Sequence, residues 1–167
     1  MLVPPVPAMS HPPDLELSIP ARAENVSIVR HVLGGLGDAL GLDAEVLADV
    51  KLAVSEACAN VVVHAYAGGG GGLLDLDVTA GKQTLAVVVR DHGRGMAPRA
   101  DSPGLGVGLP LIASLAETLE LSNGADGGTE VRMTFALEPR AHADTTDAAH
   151  DSARVGGSQP PRPAHHR

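Results

Sequence analysis

Between residues 15 and 137 the apolar positions recur with a period of two in some stretches and of about three and a half in others, and the changes of period outline the elements. Leu15, Leu17 and Ile19 alternate with Glu16, Ser18 and Pro20, which predicts a strand over 15–21. In "ENVSIVRHVLGGLGDALG" Val29, Val32, Leu33, Leu36 and Leu40 stand at helical spacing, although Gly34, Gly35 and Gly37 weaken the helix locally. A second helix opens near Asp43, whose carboxylate can cap "AEVLADVKLAVSEACANVVVHAY", and glycines 68 to 72 end it. "LLDLDVTA" and "TLAVVVRD" read as two strands joined by Gly81-Lys82-Gln83, a hairpin signal. After them come the loop "HGRGMAPRADSPGLGVG", a short helix "LPLIASLAETL", the strand "LELSN", a "GADGG" turn and the strand "TEVRMTFAL". Strands and helices segregate instead of alternating strictly. That order predicts an α+β fold, a two-layer sandwich with helices on one face of a mostly antiparallel sheet.

The ends of the chain differ from this middle. Residues 1–13 are Pro-rich, and the tail 139–167 has almost no large apolar side chain to bury, so both read as disordered around one domain, 14–138. Tyr66 and Phe135 are the only aromatic residues, so the core must be aliphatic and stacking platforms for nucleic-acid bases are lacking. A formal charge of −8 with no compensating basic cluster repels phosphate backbones and anionic membranes. No stretch of apolar residues is long enough to span a bilayer, and the start of the chain lacks the basic segment of a signal peptide. Cys58, the only cysteine, lies among apolar helical neighbours and reads as a small buried hydrophobe. The expectation is a soluble cytoplasmic protein that binds neither nucleic acid nor membrane.

The second helix carries an unusual row. At 100° per residue Leu47, Val50, Val54, Cys58, Val61 and Ala65 fall within about 80° of one another and form a core stripe. Asp49, Ala53, Glu56, Asn60 and His64 form a second stripe more than about 100° away. Such a ledge faces either water or a ligand, and the small residues Ala53 and Ala57 beside it are expected to leave room for a bulky one.

Two later loops favour the ligand. "VVVRDHGRG" places Asp91 at the end of a buried strand, ahead of Gly93 and Gly95; a carboxylate there can accept a hydrogen bond from an exocyclic amine while glycines let backbone approach a flat base. "GLGVGLPLI" runs Gly104, Gly106 and Gly108 into a helix N-terminus, whose free N–H groups and dipole favour phosphate. The second loop is no Rossmann fingerprint, since no βαβ unit surrounds it, and no Walker A loop, since no Gly-Lys-Ser/Thr follows.

Taken in order, E-x-x-x-N on a helix, D-x-G-x-G after a strand, a G-x-G-x-G lid and Gly128-Thr129 before the last strand resemble the ATP-binding domain of the GHKL superfamily. Ser55-Glu56-Ala57, Asn60 and His64-Ala65-Tyr66 resemble the corresponding helix of the bacterial anti-sigma-factor serine/threonine kinases of partner-switching systems. The resemblance implies that Asn60 holds Mg²⁺ on the ATP phosphates and that Glu56 is the general base for the attacking hydroxyl. It implies that Asp91 binds the adenine amino group with Thr129 in support, that Gly93 and Gly95 shape the base pocket, and that Gly104, Gly106 and Gly108 cover the phosphates. Arg30 matches an arginine that relatives use to contact partners, which would be a sigma factor and an antagonist protein, and the family form is a homodimer.

The sequence also departs from the family. Only Met96 to Pro103 separate the two glycine motifs, and Asp101, Ser102 and Pro103 stand where relatives often carry a basic residue before the lid. Arg94 and Arg99 are the nearby cations. These departures bear on the rate of phosphoryl transfer more than on nucleotide binding, and leave open a second function for the same fold: a nucleotide-gated switch that holds partners without appreciable kinase activity.

Overall fold

The computed structural model describes residues 12–67, 71–95, 108–124 and 126–138. The expected disordered segments lie outside these residues, apart from Pro12 and Pro13, and so does most of the glycine lid, Gly104 and Gly106 included.

Strand β1 (Leu15–Pro20) leads into two helices, α1 (Ala23–Leu40) and α2 (Ala44–Asn60), and α2 continues into a π-helical turn, Val61–Ala65. Strands β2 (Leu73–Ala80) and β3 (Thr84–Asp91), helix α3 (Gly108–Leu115) and strands β4 (Thr118–Asn123) and β5 (Thr129–Ala136) complete the chain. All pairings are antiparallel, in the order β1-β2-β3-β5-β4. Leu17 opposes Leu76, Leu76 opposes Val89 and Val89 opposes Val131, so one face of the sheet is a continuous aliphatic surface. That face packs on Val29, Leu33, Val50 and Val54 of the helices. The other face carries charge: Arg90 donates to Asp77 and to Glu130, the latter at 2.8 Å, and Arg132 reaches Glu130 at 2.9 Å, which ties β2, β3 and β5 together. The expected two-layer α+β sandwich is therefore the architecture.

Local chemistry explains the helix boundaries. Asp43 accepts the Glu45 N–H at 2.8 Å and caps α2, as its position predicts. Gly41, at φ 65°, closes α1 in the left-handed conformation that favours glycine. The glycines inside α1 do not break it; a methyl on Gly37 would lie 2.6 Å from Leu47 Cδ1, so Gly37 lets α1 and α2 approach closely. Helix α3 is shorter than its pattern suggests: Thr118 and Leu119 already pair with β5, opposite Thr134 and Met133.

Candidate nucleotide site

Helix α2 packs against α1, α3 and the sheet, so its buried arc is wider than a simple amphipathic pattern implies. Ala53 and Ala57 are fully buried, which corrects the expectation that they make room for a ligand; they make room for the elements around α2. Leu47, placed on the core stripe, is only half-buried, and its part in the core falls to Val46. Glu56 and Asn60 remain on the ledge, each half-buried. His64 does not extend the row by another α-turn, because the helix changes to π after Asn60; it is exposed.

The N-terminus of α3 meets that ledge. A methyl on Gly108 would lie 3.2 Å from Asn60 Nδ2, 3.4 Å from Asn60 Oδ1 and 3.6 Å from Glu56 Oε2. One point in space is thus in reach of the Asn60 amide, the Glu56 carboxylate and the first residue of a helix, where orphan N–H groups favour anions. Glycine is the residue that leaves that point open.

The second half of the site is at the end of β3. Asp91 is 5% exposed, its Oδ1 accepts the Gly93 N–H at 2.8 Å, and its Oδ2 has no donor among the described residues. A buried carboxylate with one oxygen uncommitted suits an exocyclic amine. Two glycines fix its surroundings by close backbone approach: a methyl on Gly93 would lie 2.1 Å from the Ala65 carbonyl oxygen, and one on Gly128 would lie 1.8 Å from the carbonyl oxygen of Asp91. Gly95, at φ 71°, turns the loop toward Gly128. Thr129, also buried, stands one step past the Arg90–Glu130 pair, beside Asp91, and no hydrogen bond joins the two side chains. Gly128 was legible only as part of the final Gly-Thr motif; its close approach to Asp91 is a tertiary fact.

The π turn links the two halves. Its last residue, Ala65, accepts the Arg94 N–H at 3.3 Å and touches Gly93. Ala65 follows Asn60 by five residues, on the order of 7 Å along a helix, so one segment carries both the ledge and the wall behind Asp91. Arg30 lies apart on α1, where its Nη1 donates to Ser55 Oγ at 3.0 Å, next to Glu56 in sequence. Cys58 is fully buried and burial pushes its thiol up to about 12, which removes it from the chemistry as expected.

Oxygen donors from an amide and a carboxylate beside a helix N-terminus fit a hard cation that takes its remaining ligands from phosphate and water. Among the described residues no group of three or more His, Cys, Asp and Glu forms a metal cluster, and no helix is long and apolar enough to cross a membrane. The description of the histidine kinase-like ATPase domain matches residues 19–135. The chain belongs to that family. Within this ATPase family it is similar to the serine-protein kinase RsbW of Halalkalibacterium halodurans, 32% identical over 142 residues, which cover 76% of this chain and 85% of that one. The RsbW of Bacillus subtilis is 31% identical over 148 residues, 79% of this chain and 91% of the relative. Among solved structures, the RsbU and RsbW domains of a Mycobacterium tuberculosis protein match with a TM-score of 0.57 and 27% identity over 75% of this chain. The match covers 32% of that longer polypeptide, so this ATPase domain corresponds to about a third of it.

Proposed function

We propose that this protein is a Mg²⁺- and ATP-dependent protein-serine/threonine kinase of the cytoplasm that phosphorylates an anti-sigma-factor antagonist and otherwise holds a sigma factor, acting as a homodimer whose kinase domain is 14–138. The observation that carries the reading is the convergence of Glu56, Asn60 and Gly108 on one point, with the loop that follows the buried Asp91 packed on Ala65 at the far end of the same helical segment. The names of the relatives, serine-protein kinases, agree with it.

Each residue then has a part. Asp91 accepts the adenine amino hydrogen through Oδ2, and Thr129 walls the same pocket. Gly93 and Gly95 keep the backbone close to the base. Gly104, Gly106 and Gly108 form the cover over the phosphates, and Gly108 keeps the approach to Asn60 open. Asn60 holds Mg²⁺, which when bound neutralises phosphate charge during transfer. Glu56, one turn before Asn60, orients the attacking hydroxyl of the partner's serine or threonine and takes its proton. Arg30, exposed and tied on one side to Ser55, presents the rest of its guanidinium to the partner protein.

The test is incubation with labelled ATP, Mg²⁺ and the antagonist, with sigma-factor capture followed in parallel. The reading expects label on an antagonist serine or threonine and capture that the unphosphorylated antagonist competes away. Arg30→Ala is expected to keep nucleotide affinity and to weaken partner capture; unaltered pull-down of both partners would remove Arg30 from the interface.

A further inference from the structure

The end of the π turn holds one more side chain with a polar group aimed at the nucleotide loop. Tyr66 is one of two aromatic residues in the chain, and its hydroxyl is used twice. It donates to the Leu73 carbonyl at 2.6 Å and accepts the His92 N–H at 3.0 Å. Its ring lies over Gly72, where a methyl would come within 1.9 Å of Cε1 and Cζ, so Gly72 is what permits the ring to reach this far. The residue therefore spans the end of the helix, the first residue of β2 and the residue that follows Asp91.

The His92 peptide sits between Asp91 and Gly93, and the Gly93 N–H donates to Asp91 Oδ1. With the His92 N–H held by Tyr66 and the Arg94 N–H by Ala65, the backbone on the C-terminal side of Asp91 is pinned from one segment at two alternate amides. The His92 side chain is held separately, by Nε2 donating to Asp75 Oδ2 at 2.6 Å, and Asp75 Oδ1 takes the Ser18 hydroxyl at 2.6 Å. Resting on the nucleotide reading above, we infer that Tyr66 is a positioning residue whose hydroxyl fixes the His92 peptide and thereby aims the uncommitted Asp91 oxygen at the adenine amino group. Its hydroxyl is committed to the Leu73 carbonyl and the His92 N–H, so its effect on the nucleotide is through Asp91.

The test uses calorimetry on the full chain with two probes, Mg-ADP and Mg-tripolyphosphate, the second lacking a base. Tyr66→Phe keeps the ring over Gly72 and removes the hydroxyl. One neutral hydrogen bond lost next to the acceptor is expected to weaken ADP by about three- to tenfold, with tripolyphosphate affinity unchanged. In the Asp91→Asn background the same substitution is expected to add less than about twofold, because both changes act on one contact. Equal weakening of ADP and tripolyphosphate, or full additivity with Asp91→Asn, would make Tyr66 a merely structural residue. Amide hydrogen exchange on the wild-type protein gives a check that does not depend on the variant folding: the His92 amide should be protected without nucleotide, and exchange at the rate of a free chain would overturn the assignment. If the wild type binds tripolyphosphate and ADP equally well, the adenine role of Asp91 fails and this inference with it; if ADP binds better and Tyr66→Phe leaves it unaltered, only this inference fails.

Discussion

At the scale of single residues, the site depends on what two carbonyl-contacting glycines and one carboxylate do together. Asp91 commits Oδ1 to the Gly93 N–H, and Oδ2 has no donor among the described residues, which in the proposed function leaves it for the adenine amino group. Asn at this position keeps a carbonyl oxygen for Gly93 and loses the charge that strengthens the second contact. Asp91→Asn should therefore remain folded and weaken ATP and ADP alike, by roughly 1.5–3 kcal/mol or about ten- to a hundredfold; isothermal titration checks it, and unchanged ADP affinity would remove Asp91 from the site. Gly128 is less forgiving. A methyl there meets the Asp91 backbone at 1.8 Å, an obstacle that no rotamer change relieves. Gly128→Ala should separate β5 from the end of β3, cost on the order of 1–3 kcal/mol or more of stability and lose nucleotide binding; a denaturation midpoint equal to wild type would contradict that packing.

At the scale of elements, the charged face of the sheet clasps strands that are far apart in sequence. Arg90 joins Asp77 on β2 to Glu130 on β5. Burial works against ionisation of Glu130, but the hydrogen bonds and charges of Arg90 and Arg132 outweigh it and hold the carboxyl below its usual range. Asp75 is likewise lowered: burial opposes, and Ser18, His92 and the Arg90 charge prevail. A carboxyl with a depressed folded pKa adds stability that is present above its ordinary value and is lost as pH falls through the folded one. Stability should thus fall below about pH 4.5, and Arg90→Met should cost about 1–2 kcal/mol at neutral pH while showing a shallower acid decline. Urea midpoints between neutral and acid pH test both, and parallel acid profiles would sink the explanation.

The elements also show what a sequence can and cannot reveal. Strands β2 and β3 match their patterns residue for residue, because alternation and the Gly81 turn both act locally. Residues Ala116–Leu119 have nothing against a helix, and pairing of β4 with β5 overrides that propensity. The π turn has no glycine or proline to announce it; the β-branched run Val61-Val62-Val63 lowers α preference, but contacts of Ala65 and Tyr66 with the Asp91 loop are what accompany the extra residue. For the same reason Ala53 and Ala57 read as free ledge when their burial comes from elements packed around α2. Glu56, Asn60 and Asp91 were legible because their chemistry is unusual at those positions. Tyr66 and Gly128 were legible only as members of motifs; what each touches was not, because those contacts come from segments distant in sequence.

At the scale of the whole molecule, the proposed function is a division of labour along one helix. In it Asn60 would hold the Mg-nucleotide and Glu56 would serve the chemistry, although both side chains lie within reach of the point a Gly108 methyl would occupy. Binding and transfer should therefore come apart on mutation. The deciding measurement is the rate of label transfer from ATP to a verified antagonist by wild type and by Glu56→Gln, with ATP and partner affinities determined on the same preparations. The predicted result is near-normal binding of both by Glu56→Gln with transfer reduced on the order of 10²–10⁴-fold, the usual worth of a general base. Equal, negligible transfer by the two proteins, with ATP still changing partner affinity, would contradict the kinase account and leave a nucleotide-gated binding protein in its place.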